Sequence, residues 1–527
     1  MHPLLINGEW RPSQGKATFR AVNPAKRQPF GEEFPISPWE DVEEALVAAD
    51  RAFDQVKTWP GARFADFLES YAAAIELRAA EIVSMANLET ALPVSPRLKD
   101  VELPRTLGQL RQAAAAARDG SWKLPTLDTA ANIRSYLGPI GPVAVFGPNN
   151  FPCAFNSMAG GDFAAAVAAG NPVIAKGHPL HPQTTQLFAE AAHEAAEATD
   201  MPRGFVQLIY HTDHENGARL VSHPLLAASG YTGSRQAGLI LKSAADQHGK
   251  PFYAELSSVN PVYILPGVLE EKLDALAAEF ATSALMGTGQ FCTNPGVVLL
   301  KKGPLAEKFI SAVATKFGEA PVGTLLGEST EVHLRAGIVA LQRAGATIVT
   351  GNKPVDNSRY CYSNTLLKVA GNDFLADPIG LQTEAFGNAA LIIVVEDDEQ
   401  FVEITRHIEG SLTGCVYSST NGRDDALYEQ IEPVLRQKVG RLLNDKMPTG
   451  VAVSPAMNHG GPFPATCHPG FTAVGIPASL RRFGMLQCYD NVRADRLPPL
   501  LRNENPGQTA WRLIDGKWTQ ADVNAAR

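Results

Sequence analysis

Apolar residues first alternate in a way that suits a ribbon. Leu4 to Ile6 and Glu9-Trp10 flank Asn7-Gly8, a dipeptide suited to the positive φ angles of a tight hairpin, so the chain is expected to open on two short strands. Ser37-Pro38-Trp39-Glu40 then has capping-box spacing with a proline at the first helical position, and Val42, Ala45, Leu46, Ala49 and Phe53 recur on one helical face. A second helix is expected from Arg63 to about Glu89, with Phe64, Phe67, Leu68, Tyr71 and Ile75 turned inward. From Val143 the period changes. Short apolar runs at Val143 to Phe146, Val173 to Ala175, Val206 to Tyr210, Ala227 to Tyr231 and Phe252 to Leu256 alternate with helical stretches, the pattern of a mostly parallel sheet. A second such series begins near Val259 and includes Val297 to Leu300, Leu391 to Val395 and Gly414 to Tyr417. A Pro-, Gly- and His-rich segment from Ser454 to Gly470 ends it, and Trp511 to Trp518 reads as a last hairpin around Asp515-Gly516.

A chain of 527 residues exceeds one ordinary core, so two or three domains are expected. Its 45% hydrophobic and 19% charged residues are those of a globular protein. With 46 basic against 55 acidic residues it is mildly acidic, which disfavours nucleic acid as a partner. No stretch approaches the roughly 20 apolar residues of a membrane helix, and the start has no basic segment followed by an apolar one, so a soluble cytoplasmic protein is expected. The six cysteines lie far apart without a Cys-x-x-Cys pair and read as reduced thiols.

Five places carry candidate chemistry. Cys292, in Gly289-Gln290-Phe291-Cys292-Thr293-Asn294-Pro295-Gly296, sits in a Gly-rich turn that can expose a thiol and aim backbone N–H groups at it; the plainer reading is a packed cysteine. Glu255 closes the run Phe252-Tyr253-Ala254 at the edge where active-site groups collect in parallel sheets, and could serve as a base; otherwise it is an exposed strand-end carboxylate. Asn150 follows the buried run Val143 to Phe146 and could donate its amide to an oxygen that becomes negative, or simply shape a turn. Gly233-Ser234-Arg235-Gln236-Ala237-Gly238 follows a strand and opens a helix, where N–H groups can hold a pyrophosphate. Lys176 ends another strand, where an ammonium could hydrogen-bond ribose hydroxyls or pair with phosphate, or simply be solvated. The pairs His178/His181 and His211/His214 have metal-compatible spacing but no third ligand nearby, so no metal site is expected. His459, in Asn458-His459-Gly460-Gly461-Pro462-Phe463, could line the site, though a loop-ordering histidine is the plainer reading, and Arg481 and Arg482 read as no more than a solvated face.

Taken in order, Pro148-Asn149-Asn150-Phe151-Pro152, Ala168 to Lys176, Tyr231-Thr232-Gly233-Ser234, Ala254-Glu255-Leu256, Gly289 to Cys292 and Thr383-Glu384-Ala385-Phe386-Gly387 resemble the successive signatures of the aldehyde dehydrogenase superfamily across nearly the whole chain. The resemblance implies an α/β fold in which a Rossmann-type dinucleotide domain (1–125 and 141–256) joins an α/β catalytic domain (257–470). A small β bridging element (126–140 and 471–527) would mediate a homodimer or homotetramer. It implies NAD or NADP as cofactor, with Lys176 and Glu384 on the two riboses, Ser234 on the pyrophosphate, Phe386 near the nicotinamide, and Gly233 and Leu256 also in the cofactor site. It implies that Cys292 attacks the aldehyde, that the Asn150 amide and the Cys292 N–H hold the oxyanion, and that Glu255 activates the water that releases the acid.

Within the family, Lys176-Gly177-His178-Pro179, Ala254 to Pro261, Gly289 to Gly296 and His459 to Thr466 are similar to the branch of α-ketoglutarate semialdehyde (2,5-dioxopentanoate) dehydrogenases and NADP-dependent fatty aldehyde dehydrogenases. The former match better, which makes 2,5-dioxopentanoate the expected substrate; a medium- or long-chain aliphatic aldehyde dehydrogenase, a silent member of the fold and acyl transfer to coenzyme A are the rivals. Pro179 stands where many NAD-preferring members carry a Glu that repels a 2′-phosphate, so NADP should be tolerated. Asn149 and Tyr210-His211 also depart from the family pattern. No arginine within these motifs would clamp a substrate carboxylate.

Overall fold

The computed structural model describes residues 1–523; the last four positions of the expected bridging segment lie outside the described residues. A first sheet of seven strands runs Phe252–Glu255, Ala228–Thr232, Val143–Phe146, Val173–Lys176, Val206–Ile209, Leu4–Ile6, Glu9–Arg11. The first five are mutually parallel, with Pro182–Ala198, His214–Ser222 and Arg235–Asp246 among the crossover helices. Their near-continuous apolar character follows from helices covering both faces of the sheet. The N-terminal hairpin adds the antiparallel edge, and Asn7 and Gly8 supply φ values of 53° and 68° at its turn.

The second sheet also has seven strands, in the order Thr347–Thr350, Thr365–Ala370, Ala389–Val395, Val297–Lys301, Val262–Ile264, Ser411–Tyr417, Val439–Asn444. All pairings are parallel except that of Thr347–Thr350. Alternate residues of one strand enter two different cores: Val262, Val298 and Leu300 pack on one face, and Tyr263, Val297 and Leu299 on the other. A third sheet of five strands joins Gly484–Asp490, Ile133–Pro139, Thr126–Asp128, Arg512–Ile514 and Lys517–Thr519. Its last two strands form the hairpin read at Asp515-Gly516, whose φ values are 48° and 80°. No helix among the described residues is long and apolar enough to cross a membrane.

Three expectations need correction. The helix at Trp39–Val56 forms without the capping box, because Ser37 is drawn to the first sheet. Its Oγ accepts from the Tyr210 N–H, its N–H donates to the His211 carbonyl, and its carbonyl accepts from the Thr212 hydroxyl. The long helix is two, Gly61–Leu77 and Ala79–Thr90, broken where Arg78 leaves helical geometry at φ −102° and ψ 8°. Arg482 is buried rather than solvated, and its guanidinium pairs with Asp162 at 2.8 Å.

Candidate active site

The two large sheets deliver their side chains from opposite ends. Carboxyl ends of the first sheet give Asn150 after Val143–Phe146, Lys176 at the end of Val173–Lys176, Gly233 and Ser234 after Ala228–Thr232, and Glu255 as the last residue of Phe252–Glu255. The segments that enter strands of the second sheet give Asn260 before Val262–Ile264, Cys292 before Val297–Lys301, and Glu384 and Phe386 before Ala389–Val395. Strand ends are where backbone N–H and C=O groups leave the ladder and side chains gain freedom to converge.

Cys292 is held by its backbone. The Asn260 amide donates to the carbonyls of Cys292 and Asn294 at 2.9 and 2.8 Å, from a buried position with φ 47°. Gly289 turns the chain at φ +66°, and any Cβ there would lie 2.0 Å from the Gly387 carbonyl oxygen. The thiol Sγ lies 3.4 Å from Nε2 of His459, and the same nitrogen lies 3.1 Å from Oε1 of Glu255. Glu255 and His459 are both buried, and the second carboxylate oxygen of Glu255 has no hydrogen-bond partner. The loop carrying His459 is fixed in turn, since the His459 N–H donates to Thr472 Oγ1 and Leu256 N–H donates to the Ala465 carbonyl.

His459 is therefore a member of the site and more than a loop-ordering residue. A single imidazole nitrogen facing a thiol and a carboxylate can take the proton of one and pass it to the other. Burial, and next the charge of Glu255, push the Cys292 thiol well above the ordinary thiol range, while Arg105 opposes them. The thiol therefore rests neutral and needs a base to become a nucleophile. The three donor atoms also lie within 4.8 Å of one another, close enough to share one cation.

The Asn150 amide donates to the Gln290 carbonyl at 3.0 Å, beside the thiol loop, and leaves a second N–H for another acceptor. Arg97 fixes that loop by donating to the Asn150 carbonyl at 2.9 Å and pairing with Glu102 at 3.2 Å. Asn260, Arg97 and Arg105 were not singled out by the sequence motifs.

The cofactor candidates divide into two groups. On the first sheet, Ser234 caps the helix Arg235–Asp246 by accepting from the Ala237 N–H, and Leu256 packs so closely on Gly238 that a Cβ there would meet it at 2.3 Å. Burial lowers the Lys176 ammonium to about 8, and among the described residues it makes no ion pair. His178 and His211 lie beside it, both kept neutral chiefly by burial, His211 shifted down to about 4. On the second sheet, Glu384 accepts from the Ser258 N–H at 3.1 Å and is raised to about 7 by burial. A cavity lined by Ser258, Gly289, Phe291, Thr383, Glu384 and Phe386 adjoins it. A cradle with a capped helix start, an unpaired ammonium and a buried carboxylate fits a dinucleotide's pyrophosphate and two riboses. Of the paired histidines, His181 contacts Pro148 O and Thr185 and His178 accepts from the Leu180 N–H, while Nδ1 of His211 is buried without a partner.

The geometry has the parts of thiol-based acyl chemistry, and comparison with known proteins gives it a lineage. Alpha-ketoglutaric semialdehyde dehydrogenase 2 of Azospirillum brasilense is 39% identical over 95% of this chain and 96% of its own. The alpha-ketoglutaric semialdehyde dehydrogenase of Acinetobacter baylyi is 35% identical over 98% of both chains. Among solved structures, lactaldehyde dehydrogenase from Escherichia coli superposes with a TM-score of 0.78 at 22% identity, covering 93% of this chain and 98% of that one, which shows the shared fold. The sequence profile of the aldehyde dehydrogenase family matches residues 10–450, and the chain belongs to that family.

Proposed function

We propose that the protein oxidises 2,5-dioxopentanoate to 2-oxoglutarate with NADP or NAD, through a covalent intermediate on Cys292. The observation that carries the chemistry is the shared contact of His459 Nε2 with Cys292 Sγ and Glu255 Oε1. The full-length similarity to two alpha-ketoglutaric semialdehyde dehydrogenases supports the substrate. Residues 1–125 and 141–256 carry the dinucleotide in this reading, 257–470 the thiol, and the strands of 126–140 and 471–527 bridge subunits of a homo-oligomer.

Each residue has a defined task. His459 takes the Cys292 proton and relays it to Glu255, and the thiolate forms a bond to the aldehyde carbon. The resulting oxyanion takes a hydrogen bond from the free N–H of Asn150 and another from the Cys292 backbone, a contact worth about 3 kcal/mol in comparable sites. A bound dinucleotide would supply the acceptor for the hydride that the carbon loses; Lys176, Gly233, Ser234 and Leu256 would hold its adenosine and pyrophosphate end, and Glu384 and Phe386 its nicotinamide end. A thioester on Cys292 remains. Glu255, once it has released the relayed proton to solvent, takes a proton from water, whose oxygen attacks the thioester carbon; the acid leaves, and that proton returns to the departing Cys292 sulfur to regenerate the thiol.

The test is the rate of reduced-cofactor formation with 2,5-dioxopentanoate, succinate semialdehyde, glutarate semialdehyde and hexanal, each with both cofactors. The expected result is a kcat/KM for 2,5-dioxopentanoate at least about tenfold above that for hexanal. Cys292→Ala should abolish oxidation while the cofactor still binds. Turnover retained in that variant would sink the mechanism, and a preference for hexanal would move the substrate to aliphatic aldehydes.

A further inference from the structure

We propose that Arg105 anchors the carboxylate of the substrate, so that this site selects short aldehydes bearing an anionic group at the far end. The inference deepens the function proposed above and rests on it for the substrate class.

Arg105 lies in the first turn of the helix Leu103–Asp119, outside every motif that marks the site. Its guanidinium carbon lies 5.0 Å from the centre of the Phe155 ring and 5.7 Å from that of Phe151. Those rings belong to the apolar cluster that includes Phe291, the residue before Cys292. Phe155 in turn stands 5.7 Å, ring to ring, from His459. The cation is thus set in an aromatic wall beside the thiol.

Its hydrogen bonding is incomplete on one side. Nη1 donates to the Val451 carbonyl at 3.2 Å, but Nε and Nη2 are buried without any partner. Nε and Nη2 form one edge of the planar guanidinium, the fork that receives both oxygens of a carboxylate. Two other arginines near the site differ. Arg97 is neutralised by Glu102, and Arg441 donates to the carbonyls of Pro448 and Gly450. A desolvated cation with idle donors is costly to keep unless a ligand completes it. Burial lowers the Arg105 pKa, and the influence that most opposes burial is the Cys292 thiolate, which places the cation in electrostatic range of the reacting atom. In this proposal a five-carbon semialdehyde with its carbonyl at Cys292 turns its own carboxylate to this fork, whose two donors are buried until a ligand is seated.

The experiment compares kcat/KM for 2,5-dioxopentanoate with that for pentanal, a neutral aldehyde of equal chain length, in the wild type, Arg105→Gln and Arg105→Lys. The ratio of the two is expected to fall on the order of 100-fold in Arg105→Gln, carried mainly by KM, and by less in Arg105→Lys, which keeps the charge and loses the fork. The second readout is alkylation of Cys292 by iodoacetamide: the 2-oxoglutarate concentration giving half-protection should rise by a similar factor in Arg105→Gln. An unchanged ratio, in a wild type that prefers the carboxylated substrate, overturns the role of Arg105 and leaves the proposed function standing. An equal loss for both aldehydes, with the pH profile of alkylation displaced to the alkaline side, overturns it too and makes Arg105 a support for the thiolate. A wild type that prefers pentanal overturns the substrate reading itself.

Discussion

Nε2 of His459 carries at most one proton, yet it lies within hydrogen-bonding reach of a thiol and a carboxylate. Its two neighbours must therefore use it in turn, and substitutions on either side should have opposite effects on the thiol. After burial, Glu255 is the largest influence raising the Cys292 thiol. Removing that negative charge in Glu255→Gln should lower the thiol pKa, so iodoacetamide alkylation should reach half its maximal rate at a lower pH than in the wild type. The same variant lacks the base for hydrolysis; steady-state turnover should fall by about 100- to 10,000-fold, behind a burst of roughly one reduced cofactor per site. His459→Gln should show no burst, and its alkylation at neutral pH should slow, because the thiol proton has lost its acceptor. An alkaline shift in Glu255→Gln would contradict the geometry of this pair.

The strands of the first large sheet and three of the second, Val297–Lys301, Ala389–Val395 and Ser411–Tyr417, were legible as apolar runs because both faces of a parallel sheet are buried, whereas Val262–Ile264, Thr347–Thr350, Thr365–Ala370 and Val439–Asn444 were not read. Glu255, Cys292 and Asn150 were legible by the same route, since they fall beside the ends of those runs. What the sequence hides is contact at a distance. His459 is 204 residues from Glu255 and 167 from Cys292, in a loop without periodicity, and Arg105 belongs to an ordinary helix. Ser37 failed as a cap for the same reason: a remote segment, Tyr210 to Thr212, competes for its hydrogen bonds. At the carboxyl ends of Val173–Lys176 and Val206–Ile209, such convergence gathers Lys176, His178 and His211, and a preference for NADP is a prediction argued from them. The Lys176 ammonium is lowered there by burial, and its charge adds to the burial that keeps His178 and His211 neutral beside it. A 2′-phosphate would give the buried Lys176 ammonium a counter-charge, so 2′,5′-ADP should bind more tightly than 5′-AMP by about tenfold, the scale of one charge-assisted contact. The Lys176 ammonium titrates at about 8 in the free protein, and bound phosphate must raise that value. Binding should therefore take up protons and tighten between pH 8.5 and pH 7, measured by titration calorimetry in buffers of different ionisation enthalpy. Equal affinities, or tighter binding at the higher pH, would assign the 2′-phosphate no place at this end.

Across the whole molecule the reaction centre is made by two sheets that meet tail to head, so its precision depends on how they are held together. Arg235, opening a helix of the first sheet, pairs with Glu409 ahead of the strand Ser411–Tyr417 at 2.9 Å, and Glu255 bridges to Thr466. The third sheet stands apart from this junction. Its strand Gly484–Asp490 pairs on one side with Ile133–Pro139 and ends the sheet on the other. Leu486 on that strand is 71% exposed and Met485 47%, an apolar edge with unpaired backbone groups, which monomeric proteins ordinarily blunt with charge or cover. Pairing with the same edge of a second copy would satisfy both the backbone and the apolar side chains, in a contact that is closed by two-fold symmetry. Sedimentation velocity of the wild type at micromolar concentration should accordingly show a dimer or tetramer. Leu486→Asp should raise the dissociation constant by at least about tenfold, because each two-fold contact would then bring two carboxylates onto an apolar edge. The substitution lies far along the chain from Cys292 and the strand is solvent-facing, so the monomers it releases should still form the Cys292–His459–Glu255 arrangement and alkylate with the wild-type pH profile. A wild type that sediments as a monomer would remove the edge from the assembly. A Leu486→Asp protein that remains fully associated would place the subunit contact on another surface.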